Sequence, residues 1–568
     1  MEAQQETRGP SATKRRRHSR LMSNSSVMTA ASAVVVSAGD KHKISNTEAI
    51  VHMVKATIGG GFLAMPEAFS NAGLLVGSVG TVIMGLSVLN MMSSIVRMSQ
   101  ALRSGKYAMN VLAEQNNKVS DGGAVNQRVD NRHGKLQPKH QYSNKLILPP
   151  MDYPETVAAV FQYGACGRFS WWAPFFKHFS KITLAVTYYG VNIIYVCILA
   201  GTFKQLIDHY TAAGMDNSWV GSLHGLSIRW YPIVTSLLIF PVGMVRLIKY
   251  LVPFSMAANA CLLVGAGAVF YFIAWDDGMT PLGPEERAKL VIWPATHWSL
   301  FAGSTLCSME GVGMLLHIEN AMKKPLELAG PPTYTLHRSM VLIILLNGLL
   351  GFFGYIRYGS RCAGSISLNL PSGNKLSEAV KVMIAIGILL TYGLQLTVTV
   401  DLAWQKLRSI LVKDHGVDGL TEEEEDSSPR LTAYYYGLRF VMIFGTILIA
   451  TAVPDIGPLI SLVGSVGLSI LGLILPVLME TVWYWSPDHG YDDEEKQGRS
   501  ETLDDGSATS AVRRRRFIRS SVRHVKNVCL FAMAVFALVG GAFYNVRDIA
   551  NAFSGDGHGS PDPTVVTM

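Results

Sequence analysis

The amino-acid sequence predicts an all-α protein that crosses a membrane many times, and three observations carry that prediction. The chain of 568 residues is 49% hydrophobic and only 16% charged, against roughly 25% charge in soluble domains. Leu74–Val96, Ile182–Phe203, Tyr250–Trp275 and Ile456–Met479 each run without a charged residue, close to the 20 or so residues that cross a hydrocarbon core of roughly 30 Å. Lys and Arg gather in alternate connecting segments, which is how a multi-pass protein sets its orientation. The formal net charge of +8 arises from those segments and the chain ends, so it gives no reason to invoke nucleic acid.

The elements follow in order. Residues 1–46 hold Lys14-Arg15-Arg16-Arg17 with only a weak apolar patch behind them, Ala30–Ala38. That is poor as a signal peptide and reads as a disordered cytosolic tail. An eleven-helix domain is expected over 47–545. Its spans are Glu48–Phe69, Leu74–Leu102, Lys181–Leu206, Trp230–Leu247, Tyr250–Trp275, His297–Met322, Arg338–Tyr358, Leu376–Leu407, Leu431–Val453, Ile456–Trp485 and Val525–Tyr544. Polar insertions at 103–180, 408–430 and 486–524 separate them, and 546–568 forms a tail. With the amino terminus in the cytosol, Arg246, Lys249, Lys323, Lys324, Lys406 and the Arg513–Arg516 run all fall inside. An odd number of spans then places the carboxy-terminal tail on the other side.

Span one contains Thr57-Ile58-Gly59-Gly60-Gly61-Phe62-Leu63 followed by Pro66. Each glycine weakens a helix by about 1 kcal/mol relative to alanine, and proline removes one more backbone bond. Glycines at spaced positions serve close helix packing, but three in a row before a proline predict an unwound stretch. Such a stretch must be buried in protein or face water. Span six carries a matching feature, Ser308-Met309-Glu310-Gly311-Val312-Gly313. An intramembrane carboxylate such as Glu310 is a functional candidate by default. A structural Glu, bonded to freed backbone amides, is an equally open reading.

The two interruptions fall in the first helices of two five-span halves. That pattern predicts a 5+5 inverted repeat with a site between the broken helices and an eleventh helix added. Half-helix amino termini suit a substrate carboxylate, and loose carbonyls suit an ammonium group or a cation. An amino-acid zwitterion needs both. His52, one turn before Lys55 in span one, is the side chain most easily titrated near neutral pH.

At this point the residues resemble a known family. His52–Pro66 followed by Asn71-Ala72-Gly73 is similar to the first-helix signature of proton-coupled amino acid transporters, a branch of the amino acid/auxin permease group. Met309-Glu310-Gly311-Val312-Gly313 with Ile318-Glu319-Asn320-Ala321-Met322-Lys323-Lys324-Pro325 resembles its sixth-helix signature. The resemblance implies a LeuT/APC-type fold and symport of small neutral amino acids with protons. It implies substrate contacts from Thr57, Ile58, Gly59, Gly60, Gly61, Phe62 and Leu63 and from Ser308, Met309, Glu310 and Gly311. It also implies proton coupling through His52, with Glu310 as a second candidate. Gly60 stands where the family usually has Thr or Ser, and His317 stands where it usually has Pro. No organic cofactor or metal is expected, and the coupling ion is the proton. Sodium is the alternative, with hydroxyls on Thr391, Thr397 and Thr399 in span eight. An amino-acid sensor with little transport is a further alternative. No nucleophile–base pair or metal cluster points to an enzyme. The expected setting is the plasma or endolysosomal membrane.

Overall fold

A computed structural model describes residues 43–104, 150–164, 167–212, 225–245, 248–275, 290–293, 297–309, 311–371, 373–414, 429–453, 455–485 and 506–554. Among these, every regular element is helical. The helices are α1 (Asn46–Thr57), α2 (Gly60–Leu63), α3 (Met65–Arg103), α4 (Tyr153–Tyr163), α5 (Ala173–Ala212), α6 (Tyr231–Gly243), α7 (Ile248–Trp275) and α8 (Trp298–Ser308). They continue with α9 (Val312–Ala321), α10 (Thr335–Tyr358), α11 (Lys375–Asp414), α12 (Pro429–Ala452), α13 (Ile456–Val463), α14 (Leu475–Trp483) and α15 (Gly506–Ser554).

Nine helical stretches among the described residues are long and apolar enough to cross a membrane, and α6 is a shorter apolar helix. Span one is cut into α1, α2 and the start of α3, so no single piece of it reaches spanning length. Every expected span therefore has a helical counterpart, and the chain is an integral multi-pass membrane protein. Its surface agrees: Leu237 is 80% exposed, Val528 67% and Val441 64%, an outlay of apolar side chains that water would penalise and lipid accepts.

Gly73 ends span one's far portion inside α3. Its φ of 73° and ψ of 167° lie where side chains other than glycine are strained, so Met65–Ala72 and Leu74–Arg103 are two helices meeting at a corner. Span three starts at Ala173 rather than Lys181. The stretch before it, expected as a polar insertion, holds α4. The start signals for α4 were present in the sequence: Asp152 accepts from the Glu155 N–H, Glu155 returns the bond, and Pro154 sits in the first turn. Its buried residues Tyr153, Val157, Val160 and Phe161 recur at helical spacing.

Span ten is not a plain α-helix. Between α13 and α14 the chain winds as two π-helical turns, Gly464–Leu468 and Ile470–Ile474. Wider winding loosens the usual bonding and frees carbonyls. Tyr153 of α4 donates to one of them, Leu471 O, at 2.8 Å. On the far side of the bundle Arg439 of α12, fully buried, binds three elements together. It donates to Gly243 O of α6 at 2.5 Å, to Tyr435 Oη at 3.0 Å and to Thr397 Oγ1 of α11 at 2.6 Å.

Candidate functional site

Helix α1 begins with a capping box in which Ser45 N donates to Glu48 and Ser45 Oγ accepts from Glu48 N. It ends at Thr57, whose hydroxyl turns back to Val54 O at 2.7 Å. Ile58 leaves the helix (φ −78°, ψ 90°) and Gly59 is extended (φ −152°, ψ −156°). Leu63 N then donates to Gly59 O, closing the first turn of α2. The break is thus two residues, Ile58–Gly59, rather than the four from Ile58 to Gly61. Gly60 and Gly61 start the next helix, where their N–H groups are among those a helix leaves without an internal partner.

In span six, α8 ends at Ser308, whose hydroxyl donates to Thr305 O at 2.8 Å. Met309 (φ −103°, ψ 19°) and Gly311 (φ −162°, ψ −5°) are both non-helical, and α9 starts at Val312. Glu310 lies outside the described residues, so the carboxylate singled out in the sequence has no structural account here. Both interruptions predicted from sequence are present.

The three glycines of span one differ in what surrounds them. A Cβ on Gly61 would lie 2.6 Å from the carbonyl carbon and oxygen of Cys307 and 2.7 Å from Ser308 N. The two broken helices therefore touch backbone to backbone at this position. A Cβ on Gly60 would meet Ile194 at 3.1 Å and Ile198 at 3.3 Å, and one on Gly59 would meet only Tyr195 Oη, at 3.4 Å. Across the site, a Cβ on Gly313 would fall 1.8 Å from Tyr188 Oη, and one on Gly311 would approach Met92 Cε at 3.2 Å. Gly303 and Gly464 bring α8 equally close to the π-helical part of span ten.

The structure thus gathers Gly61 with Cys307 and Ser308, sets Gly59 and Gly60 against one face of α5, and sets Gly313 beyond the second break against Tyr188 of that same helix. Tyr188 and Tyr195 stand seven residues apart, on one side of that helix. Sequence reasoning missed them. The available signal was the heptad spacing of two hydroxyl-bearing aromatics in an uncharged span, which Tyr189 beside them blurs. His52 is not part of the gathering. It lies six residues before Ile58, about 9 Å along the helix axis, and is partly buried between its own helix's Glu48 and Lys55. His317 is buried on α9 with Nδ1 3.0 Å from Gly313 O.

The end of the bundle where α1 begins is tightly tied. Ile44 N donates to Ala321 O at 3.0 Å and Lys323 N donates to Ile44 O at 2.9 Å. Asn46 donates to Glu327 at 2.6 Å. Arg103 of α3 pairs with Glu319 of α9 at 3.4 Å and donates to Asn320 Oδ1 at 3.0 Å. Asn320 in turn donates to Met151 O at 3.2 Å, just before α4. Burial pushes the Asp152 carboxyl up from its ordinary value, against the pull of the Glu155 N–H, Lys177 and Lys181.

Comparison with known proteins gives a consistent picture. The family model described as transmembrane amino acid transporter protein matches residues 42–116 and 141–496. The proton-coupled amino acid transporter-like protein pathetic of Drosophila melanogaster is 29% identical over 451 residues, 79% of this chain and 79% of that protein. Vacuolar amino acid transporter 4 of Saccharomyces cerevisiae is 23% identical over 225 residues, 40% of this chain and 30% of that protein.

Proposed function

We propose, from the premise that the chain belongs to the transmembrane amino acid transporter family, that it is a proton-driven symporter of small neutral amino acids. The family is one of carriers rather than enzymes. The observation that carries the reading is the contact of Gly61 with Cys307 and Ser308, which sets two helix breaks side by side. The start of α2 offers N–H groups to a substrate carboxylate, and the ends of α1 and α8 offer carbonyls to its ammonium group. Tyr195, Ile194 and the Cys307–Ser308 backbone stand close against Gly59, Gly60 and Gly61, and the little room they leave favours a small substrate. Alternating access follows when α1–α3 and α8–α10 rock against the remaining helices. The ties among Ile44, Asn46, Arg103 and Glu319 link members of the moving group to one another.

Proton coupling is favoured by the fly relative, named as proton-coupled. His52 and Glu310 are the proposed proton carriers. Sodium coupling is disfavoured by the surroundings of the span-eight hydroxyls. Thr391 donates to Gly387 O and Thr397 to Gly393 O, and Thr397 also accepts from the Arg439 guanidinium. A fixed cation on that oxygen opposes a second one. The face where α1 begins is assigned to the cytosol by its Lys and Arg content. The yeast relative is named as vacuolar, which favours the endolysosomal membrane. The test is uptake of labelled proline, glycine or alanine into proteoliposomes. A proton gradient drives accumulation and a sodium gradient alone does not; accumulation under sodium alone refutes the assignment.

A further inference from the structure

Glu67 lies eight residues beyond Gly59, on the helix that runs from the break to the corner at Gly73. Its neighbours on that helix fix the helix to α10 and to the rest of α3. A Cβ on Gly354 would lie 2.5 Å from Pro66 Cγ, and Phe69 wedges between Gly77 and Gly351. Glu67 reaches the other way. A Cβ on Gly457, at the start of span ten, would fall 1.9 Å from Glu67 Oε1 and 2.5 Å from Oε2. Gly364 closes the same place from the α10–α11 connection, its Cβ position 2.7 Å from Gly457 N. The carboxyl therefore fills a notch that exists only because Gly457 lacks a side chain. The notch joins the broken helix of span one to span ten.

The charged and titratable groups that bear on this place come from four elements. Asp455 in the turn before α13 acts directly on Glu67. The Cys362 thiol, from the α10–α11 connection, lies within range of Glu67. Arg229, before α6, bears on Asp455, whose carboxyl burial pushes up. Cys197 of α5 also feels Asp455. Asp455 stands two residues before Gly457, the seat of the Glu67 carboxyl; two carboxylates brought this close repel when both are ionised, and one proton removes the repulsion.

We propose that Glu67 is a further proton-binding residue of the transport cycle. Its protonation seats the helix Met65–Ala72 against Gly457, closing the route to the break from the side opposite the amino terminus, and loss of the proton releases it. This rests on the proton-symport reading above and adds to it where a proton from that side is received. The step is proton binding alone and needs no other reactant.

The experiment uses the full chain in proteoliposomes at fixed internal pH and clamped voltage, with initial uptake of labelled amino acid read against external pH. Two variants are compared with wild type. Glu67→Gln mimics the protonated carboxyl. It holds the helix seated, so exchange of labelled for unlabelled amino acid falls about tenfold or more, and what remains loses most of the external pH dependence, since one titrating group accounts for up to about tenfold per pH unit. Asp455→Asn removes the facing charge and moves the midpoint to lower pH by about one unit. A wild-type pH profile in Glu67→Gln overturns the proposal and leaves proton symport standing. An unmoved midpoint in Asp455→Asn does the same, and it decides the matter should Glu67→Gln fail to fold. A wild type that accumulates nothing under a proton gradient overturns the symport reading and this proposal with it.

Discussion

Replacing the three glycines of span one by alanine one at a time separates packing from propensity. Alanine gains about 1 kcal/mol of helix propensity over glycine, and only Gly60 and Gly61 are helical, so propensity alone ranks Gly61→Ala as neutral or stabilising. The geometry ranks it last. Its methyl would stand 2.6 Å from Cys307 carbonyl atoms and 2.7 Å from Ser308 N, and reaching an ordinary contact requires separating two backbones by nearly an ångström. Overpacking of this kind costs about 1–3 kcal/mol, with little relief where the neighbour is main chain. Gly60→Ala meets flexible Ile194 and Ile198 tips at 3.1 and 3.3 Å, and Gly59→Ala meets one hydroxyl at 3.4 Å, so both fall below that cost. Thermal unfolding of the purified protein, paired with proteoliposome uptake, reads the series. Gly61→Ala is expected to lose stability and nearly all uptake, while Gly59→Ala keeps its fold. A Gly61→Ala protein as stable and active as wild type would refute the contact between the breaks, and equal losses in all three would refute the ranking.

Three further outcomes follow from the end of the bundle where α1 begins. Arg103 and Glu319 are 4% and 0% exposed, so Glu319→Gln or Arg103→Gln alone lowers unfolding stability by about 3 kcal/mol, and the apolar double replacement Arg103→Met with Glu319→Leu recovers most of it; additive losses in the double variant would contradict this. Tyr153→Phe leaves the Leu471 carbonyl without its donor and costs about 1–3 kcal/mol in the same assay, whereas no loss would mean water replaces the hydroxyl. Asp152 is an acid raised in the folded state by burial, so its contribution is full below its unfolded pKa and fades as pH rises through the folded value. Asp152→Asn keeps the cap and should flatten the stability–pH curve, with a gain at neutral pH that vanishes in acid; a loss at neutral pH would show that the charge is stabilising.

Much of the fold was legible because membrane spans announce themselves by length and lack of charge. Leu74–Val96 and Ile456–Met479 needed no pattern beyond that. The two breaks were legible for the opposite reason, since glycine and proline interrupt such runs visibly. Their extent was not: whether Gly60 and Gly61 unwind or start a helix depends on Cys307 and Ser308, some 250 residues away, and local propensity carries no such information. Helix α4 was missed because its polar surroundings outweighed a capping box and a short apolar stripe. Tyr188 and Tyr195 were missed because an aromatic in an apolar span has many uses, and only the position of α5 beside both breaks selects this one. The π-helical turns of span ten have no simple sequence mark beyond Gly464 and Gly467. Glu67 carried no signal in the sequence, because its seat, Gly457, lies nearly 400 positions later.

The central claim is that the two breaks form one amino-acid site, and ligand stabilisation tests it most directly. A ligand that binds only the folded protein raises its stability by about 2.7 kcal/mol at a hundredfold excess over Kd. Purified wild type should unfold at a higher temperature in the presence of a small neutral amino acid. Gly59→Leu, whose side chain projects toward Tyr195 at the break, should keep a cooperative unfolding transition, at a temperature lowered by the crowding, and gain nothing when ligand is added. Undiminished stabilisation of Gly59→Leu by the same amino acid would place the binding site elsewhere in the molecule and contradict the account.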